Sequence, residues 1–356
     1  MLATRPKSVY SANGDSVLSH APRVCVTGAG GFIGSHLVTY LKIAGCWVRG
    51  VDIKYPEFAA SDADEFEILD LRRWESCLQA TRDVQDVYAL AADMGGMGFI
   101  SLNDAAILHN NSLIDVHTLE AARANGVTRC LYSSSACVYP EYKQLATNVV
   151  PLKEADAYPA QPQSAYGWEK LTGEKLCMYY SKEYGLQTRI VRLHNIFGPL
   201  GTWDGGREKA PAALCRKIAR AKLTNDPIVE IWGDGEQTRS FCYIDDCTAG
   251  LVRLMRSTFS GPVNLGQDRV LTINHLADTI ASIAGLKIEK RYVAGPQGVR
   301  GRNSDNSLLR EVLNWVPEIS LEAGLEVTYA WIEGQVRAGL GTGLDDSRAS
   351  AQPLKW

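Results

Sequence analysis

The sequence lacks the features that mark membrane, secreted and nucleic-acid-binding proteins. Lys and Arg number 37 against 40 Asp and Glu, a net charge of -3 over 356 residues, so no basic surface for nucleic acid or an acidic membrane is predicted. No apolar run approaches the roughly 18 residues of a membrane-spanning helix. Residues 1–22 are polar and have no apolar signal-peptide core, so a cytoplasmic location is expected, with a weak organellar transit peptide as the alternative.

Disulfides and metal centres are not expected either. The nine cysteines are spread singly, and no Cys-x-x-Cys pair occurs. An odd number of thiols in a chain of this length favours reduced cysteines over disulfides or a zinc site. Most of them are expected to fill the core. Cys137 differs because it follows three serines at the end of an apolar run, in the stretch SSSACVYP.

Alternating strand and helix patterns occupy the first half of the chain. Apolar residues make up 46% and charged residues 22%, which is typical of a globular protein of one or two domains. The patterns predict strands at 23–27, 46–51, 84–90, 129–133 and 188–193, and helices at 32–44, 103–125 and 165–184. This alternation predicts an α/β fold with a doubly wound parallel sheet of the Rossmann type.

The pattern breaks after Asn195, where 199–211 is rich in Gly and Pro. Later elements are short and mixed, with helices predicted at 212–222 and 273–284. We therefore predict a smaller mixed lobe after the parallel sheet. The predicted divisions are a polar extension at 1–22, a first domain at 23–195, a second lobe at 196–338 with some return to the first domain, and a flexible tail at 339–356.

A glycine turn joins the first predicted strand to the first predicted helix. In GAGGFIG, residues 28–34, the glycines allow a pyrophosphate to approach the backbone, and the helix N-terminus supplies N–H groups. Asp52 ends the next strand, where a carboxylate would bind ribose hydroxyls and repel the extra phosphate of NADP. Asp70 follows a third apolar segment and is predicted near the adenine. NAD is therefore favoured, and a purely structural glycine turn is the alternative.

Tyr166 and Lys170 form a YxxxK motif in a predicted helix. Residues four apart share one helix face, and a lysine beside a tyrosine lowers the pKa of the phenol. The motif is common by chance. Here it follows the glycine turn and the serine run, and this order makes it specific.

The motifs TGAGGFIG, SSSA and YxxxK, in this order, resemble the extended short-chain dehydrogenase/reductase family, whose members act mainly on nucleotide sugars. The resemblance implies NAD as cofactor and Ser135, Tyr166 and Lys170 as the catalytic triad. In that family, phenolate takes a proton from a sugar hydroxyl while hydride leaves the same carbon. The predicted cofactor contacts are Gly28, Gly31, Phe32, Ile33, Gly34, Asp52, Asp70, Tyr166 and Lys170.

A narrower resemblance covers residues 22–335. The blocks ADMGGMGFI, SSACVYPE, GGREKAPAA, WGDGEQTRSF and GVRGRNSDN are similar to those of the GDP-mannose 3,5-epimerase family. The resemblance implies binding of GDP-mannose and other GDP-sugars, formation of GDP-L-galactose with regeneration of NAD, a route to L-ascorbate and cell-wall sugars, and a homodimer.

The same resemblance gives Cys137 and Lys209 a chemical role. Transient oxidation at sugar carbon 4 makes the hydrogens on carbons 3 and 5 acidic, and inversion of each centre needs an acid and a base on opposite faces. By resemblance these groups are Cys137 and Lys209, and which is acid and which is base at each carbon stays open. The implied substrate contacts are Gly95, Ser135, Cys137, Asn195, Glu208, Lys209, Lys217, Gln237, Arg239 and Arg302.

Two other functions remain open at this stage. A UDP-sugar 4-epimerase would need no second acid–base pair, so Cys137 and Lys209 argue against it. A catalytically silent nucleotide-binding scaffold would need no intact triad. Without the resemblance, Cys137 would be a core thiol and Lys209 a solvated surface charge.

Overall fold

The computed structural model describes residues 22–341. The predicted N-terminal extension up to residue 21, and the predicted tail beyond residue 341, lie outside the described residues. The first elements are β1 (Arg23–Thr27), α1 (Phe32–Ile43), β2 (Trp47–Asp52), β3 (Glu65–Ile68), α2 (Trp74–Ala80), β4 (Asp86–Ala89), α3 (Met97–Ile100), α4 (Asp104–Ala124), β5 (Arg129–Ser135), α5 (Ala165–Tyr184) and β6 (Gln187–Leu193).

The later elements are shorter and more varied. They are β7 (Ile196–Phe197), α6 (Ala210–Thr224), β8 (Ile228–Trp232), β9 (Thr238–Ser240), β10 (Cys242–Tyr243), α7 (Ile244–Arg256), β11 (Pro262–Leu265), β12 (Val270–Thr272), α8 (Ile273–Ala284), β13 (Glu289–Val293), β14 (Gly301–Arg302), α9 (Ser307–Leu313) and α10 (Leu321–Gly341).

Seven strands form one parallel sheet in the order β11-β6-β5-β4-β1-β2-β3. Helices alternate with these strands along the chain, so the predicted α/β fold class is confirmed. The register pairs Thr27 with Val51 on one side and with Ala89 on the other. The carboxyl ends of β1, β2 and β4 therefore meet at one edge of the sheet, which is where doubly wound proteins bind their ligands.

The termini of α5 show why its bounds could be predicted from sequence. The Ser164 side chain accepts a hydrogen bond from the N–H of Gly167, and Gly185 ends the helix with a φ of 74°. A hydroxyl at the start and a glycine in the left-handed region at the end are the usual signals for helix termini. The helix places Tyr166 in its first turn and Lys170 one turn later.

β11 lies far along the chain but belongs to the first sheet. Pro262–Leu265 pairs with β6 in parallel, so the sheet has its edge strand beyond residue 195. α7, which also lies beyond residue 195, packs against α1. The other strands after residue 195 form small sheets, in which β7 pairs with β10, β9 pairs with β12 and β14, and β8 pairs with β13.

The sequence pattern predicts neither α7 nor α10. α10 extends over 21 residues and packs against α6 and α8, while the predicted helix 212–222 is longer and spans Ala210–Thr224. All nine cysteines are free, and eight of them are buried. Within residues 22–341, no helix combines the length and apolarity needed to span a membrane, and no cluster of three His, Cys, Asp or Glu side chains could hold a metal.

Candidate active site

The glycine turn after β1 leaves no room for side chains. A Cβ at Gly34 would lie 2.1 Å from the backbone oxygen of Gly28, and a Cβ at Gly30 would lie 2.1 Å from that of Lys54. Gly28 has a φ of 74°, which favours glycine. α1 begins at Phe32, so its first N–H groups face this turn. This bare backbone beside a helix N-terminus fits the pyrophosphate of a dinucleotide.

Asp52 fixes the glycine turn. Its Oδ2 accepts a hydrogen bond from the N–H of Gly30 at 2.9 Å, and its Oδ1 accepts one from the N–H of Lys54 at 3.2 Å. Burial raises the pKa of Asp52, although these backbone donors oppose the rise. Gly30 and Lys54 both line a surface cleft, so the Asp52 carboxylate stands beside it as an NAD ribose site requires.

Asp70 is engaged by a neighbouring arginine. Arg72 donates from Nε and Nη2 to the two carboxylate oxygens of Asp70, at 2.9 and 2.8 Å, and holds the pKa of Asp70 below its usual range. Arg72 also reaches the Asn110 side chain at 3.4 Å. A contact between Asp70 and the adenine stays a prediction.

The structure brings the predicted triad together. Ser135 ends β5, its hydroxyl accepts the N–H of Cys137 at 3.1 Å, and its interaction with Tyr166 lowers the pKa of that phenol. The Lys170 Nζ lies 5.8 Å from the centroid of the Tyr166 ring. Ser135 at the end of β5 and Tyr166 and Lys170 in the first turns of α5 therefore lie near one another.

The pKa of the Tyr166 phenol is raised overall, whereas the YxxxK motif predicts a lowered one. Burial raises its pKa, and Lys170 lowers it in the predicted direction but by less. Lys170 therefore opposes the effect of burial on the phenol without overcoming it. A second positive charge bound beside the ring would act in the same direction as Lys170.

Lys170 lies in a buried polar cluster that the sequence does not indicate. Its Nζ lies 3.0 Å from Glu169, 3.7 Å from Asp115 and 3.2 Å from the hydroxyl of Tyr132. Burial lowers the pKa of Lys170, but Asp115 and Glu169 raise it by more, so it stays an ammonium. Burial and the neighbouring Glu169 raise the pKa of Asp115 well above its usual value, against the effect of Lys170. The cluster thus holds the lysine charge close to the tyrosine.

Cys137 lies in a single 3-10 turn, Ala136–Val138, directly after β5. Its Sγ is 3.5 Å from Nη1 of Arg302. Burial raises the pKa of the thiol, but Arg302, the Ser135 hydroxyl and Lys209 together lower it below the ordinary value. These neighbours favour the thiolate, which is the form of cysteine that accepts a proton.

Lys209 stands at the N-terminus of α6 as its N-cap residue. Burial lowers the pKa of its ammonium, while Cys137 opposes this effect. The positive end of the helix dipole also disfavours a cation at this position. A thiol and an ammonium whose pKa values are both lowered can exchange protons with a common substrate.

The loop before Lys209 is held by a second loop. The N–H of Gly96 donates to the Arg207 backbone oxygen at 3.0 Å. The Glu208 carboxylate accepts from the N–H of Gly206 at 2.7 Å and from Arg216 at 2.8 Å. Glu208, predicted to contact substrate, therefore stabilises its own loop in this structure. Gly95, also predicted there, precedes the contact between the two loops.

Three cationic side chains surround the thiol. Arg302 bonds to it, and Lys209 and Arg239 interact with it electrostatically. Arg239 donates to the Val299 backbone oxygen at 2.7 Å, and burial, with Arg302 adding, lowers its pKa to about 9. Such a cluster suits a diphosphate, because arginine binds phosphate oxygens with two parallel hydrogen bonds.

The remaining predicted contacts are Lys217, Asn195 and Gln237. The Lys217 Nζ donates to the Glu230 backbone oxygen at 2.8 Å. The Asn195 Nδ2 donates to the Ser240 backbone oxygen at 2.9 Å. The side-chain oxygen of Gln237 is buried without a hydrogen-bond partner among residues 22–341, so it is available to a donor on a ligand.

A parallel sheet with a bare glycine turn and a Ser-Tyr-Lys constellation defines an enzyme that binds a nicotinamide dinucleotide. The profile of the NAD dependent epimerase/dehydratase family matches residues 24–266. The chain belongs to this family, and NAD is its cofactor.

Individual proteins that resemble this chain are also named as epimerases. The GDP-mannose 3,5-epimerase of Arabidopsis thaliana is 50% identical over 327 residues, which cover 91% of this chain and 86% of the relative. The UDP-glucose 4-epimerase of Thermotoga maritima, solved with UDP-glucose, is 27% identical with a TM-score of 0.80 and covers 88% of this chain and 99% of its own. The UDP-glucuronic acid 4-epimerase of Bacillus cereus, solved with UDP-glucuronic acid and NAD, is 28% identical with a TM-score of 0.74, over 88% of this chain and 99% of that one.

Proposed function

We propose that the chain converts GDP-mannose to GDP-L-galactose by inverting carbons 3 and 5 of the mannosyl ring. The observation that carries this proposal is the position of Cys137, whose side chain packs in one cluster with Tyr166 and lies in the turn that Ser135 caps, with the charge of Lys209 acting on its thiol. The relative from Arabidopsis thaliana that is 50% identical to this chain is named GDP-mannose 3,5-epimerase, after the same reaction.

The triad performs the redox half of the reaction. The glycine turn and Asp52 would hold NAD, which would supply a hydride acceptor for carbon 4 and a hydride donor for the final reduction. Ser135 and Tyr166 hold the hydroxyl on that carbon, and Tyr166 takes its proton as the ketone forms. Lys170, fixed as an ammonium by Glu169 and Asp115, stabilises the phenolate. Tyr166 returns the proton at the end.

Cys137 and Lys209 perform the inversions. The ketone at carbon 4 acidifies the hydrogens on carbons 3 and 5, so a base of modest strength removes them. Inversion requires that a proton return from the opposite face. The two groups stand on different elements, the turn after β5 and the N-terminus of α6, which allows them to flank one sugar ring.

The nucleotide is bound mainly by the second lobe. Arg239 and Arg302 bind the diphosphate, and the unpaired side-chain oxygen of Gln237 accepts an N–H of the guanine. A UDP-sugar 4-epimerase needs no acid–base pair beyond the triad, so Cys137 and Lys209 favour the 3,5-epimerase.

The test is turnover of GDP-mannose in deuterated water, with mass analysis of the recovered sugar. The wild type should incorporate deuterium at carbons 3 and 5. Cys137→Ala should lose most of this incorporation while it still binds GDP-mannose. The control is Cys46→Ala, which removes a buried thiol at the amino end of β2, the opposite edge of the sheet. Normal exchange in Cys137→Ala would mean that Cys137 is only a packed thiol.

A homodimer and a cytoplasmic location are part of the proposal. α4 and α5 pack side by side and leave large apolar side chains exposed: Leu108 at 43%, Val116 at 45%, Trp168 at 46% and Tyr179 at 56%. A second copy would cover this face. Light scattering of the wild type should give twice the monomer mass, and the Trp168→Lys variant should give a lower mass. The product would supply a route to L-ascorbate and cell-wall sugars.

A further inference from the structure

The thiol of Cys137 and the guanidinium of Arg302 meet although they are far apart in sequence. Arg302 is the second residue of the short strand β14, which pairs with β9 in parallel. Its Nη1 lies 3.5 Å from the Cys137 Sγ, and its Nε donates to the Gln144 Oε1 at 2.6 Å. One side of the guanidinium thus faces sulfur and the other is anchored by an amide.

Gln144 is completely buried, and both the nitrogen and the oxygen of its side-chain amide are hydrogen-bonded. Its Nε2 donates to the backbone oxygens of Tyr139 at 3.0 Å and Pro140 at 3.2 Å. With both N–H groups used, only the amide oxygen can face Arg302, because the reverse orientation would set donors against donors. The backbone oxygen of Gln144 also accepts the N–H of Gly301 at 3.1 Å, so the same residue fixes β14 itself.

We propose that Gln144 is a positioning residue that holds Arg302 against Cys137, so that a permanent cation stabilises the thiolate. The proposal rests on the proposed function, in which Cys137 exchanges protons with the sugar. It gives Arg302 a role at the thiol besides the predicted contact with the nucleotide.

Arg302 suits this role better than the other charged groups at Cys137. Within residues 22–341, the titratable or charged side chains that interact with the thiol are Tyr166 from α5, Lys209 from the N-cap of α6, Arg239 from β9 and Arg302 from β14, and none of these is a carboxylate. Lys209 must gain and lose a proton during the inversions, so its charge varies. A guanidinium stays charged throughout. Of the cations, only Arg302 forms a hydrogen bond with the sulfur in the described part of the chain.

The pH dependence of Cys137 alkylation measures this effect directly. The full-length protein is treated with iodoacetamide over a pH series, and modification of the Cys137 peptide is followed by mass spectrometry. Because an opposite charge within 4–6 Å shifts a pKa by about 1–3 units, Arg302→Gln should raise the midpoint by at least about one unit. Arg302→Lys should raise it less. Gln144→Met should also raise it, although Arg302 is intact.

Control variants separate this effect from general loss of charge or of fold. Arg239→Gln removes a nearby cation that does not bond to sulfur, and its midpoint should move less than that of Arg302→Gln. Circular dichroism checks each variant. If Gln144→Met does not fold, Gln144→Asn, which keeps the amide but withdraws it by one methylene, takes its place and should also raise the midpoint.

The outcomes distinguish this proposal from the proposed function, because alkylation needs no turnover. Unchanged midpoints in Arg302→Gln would overturn the role of Arg302. A raised midpoint in Arg302→Gln with an unchanged one in the folded Gln144 variant would overturn the positioning role of Gln144. Normal deuterium exchange in Cys137→Ala would instead overturn the proposed function, whatever the midpoints.

Discussion

Gly96 lies where the loop before α3 touches the loop before α6, and its replacement by alanine tests how closely Lys209, the proposed proton-exchanging lysine, must be placed. The N–H of Gly96 donates to the Arg207 backbone oxygen at 3.0 Å, two residues before Lys209. This contact couples the loop before α3 to the loop before α6. The substitution Gly96→Ala introduces a methyl group at this contact and leaves the NAD and triad residues unchanged.

The size of the effect follows from the geometry. An alanine Cβ at Gly96 would lie 2.4 Å from the backbone oxygen of Glu208, and Cβ atoms essentially never approach closer than 3.0 Å. The loops must therefore separate by at least roughly 0.6 Å, and backbone atoms on both sides cannot rotate away as a side chain would. A misplacement of about 1 Å can cost on the order of 100-fold in rate. We expect kcat to fall by about 10-fold to 100-fold.

The assay compares Gly96→Ala with Gly98→Ala. At Gly98 a Cβ would meet its nearest neighbours at 3.8 Å, an ordinary contact, so this variant should keep normal kcat. NAD binding, followed by fluorescence, should not change in either protein. Equal turnover in Gly96→Ala and wild type, or equal losses in both variants, would refute the reasoning that this contact positions Lys209.

Three further predictions concern groups with distinct roles. Tyr166→Phe should lower turnover by about 10² to 10⁴ with GDP-mannose affinity unchanged by calorimetry; near-normal turnover would contradict the role of the phenol. Glu174→Gln leaves the buried Arg192, paired at 2.7 Å, without its anion, so urea unfolding should show a loss of about 3–5 kcal/mol, and a loss below about 1 kcal/mol would speak against it. Burial lowers the pKa of His194 to about 3. The unfolded chain therefore binds its proton first, and stability should fall as the pH drops below about 6.5, with a flatter profile in His194→Gln.

The first half of the fold could be predicted because its signals are local. Strand β1 and helix α5 have the bounds that their apolar periodicity and terminal residues indicate. β11 could not be predicted as part of the same sheet, because its four residues carry no mark of the strand they pair with. α10 was missed because the second lobe was interpreted as short mixed elements, whereas one of its helices has 21 residues.

In the candidate site too, contacts between neighbours in the chain could be predicted, and contacts between distant residues could not. Tyr166 and Lys170 are one helical turn apart, so their pairing is visible in the sequence. Arg302 and Cys137 are separated by 165 positions, and nothing local indicates that their side chains touch. The buried Asp115 beside Lys170 is likewise brought there only by the packing of α4 on α5.

The position of β11 in the sequence also determines when the parallel sheet can form during synthesis of the chain. A nascent polypeptide that has emerged only to residue 195 exposes one edge of β6, because the strand that pairs with this edge within residues 22–341 is Pro262–Leu265. An unpaired parallel edge is a template for wrong association. The parallel sheet therefore cannot be completed before the chain has been synthesised as far as Leu265, well past the five strands and three helices predicted from the first half of the sequence.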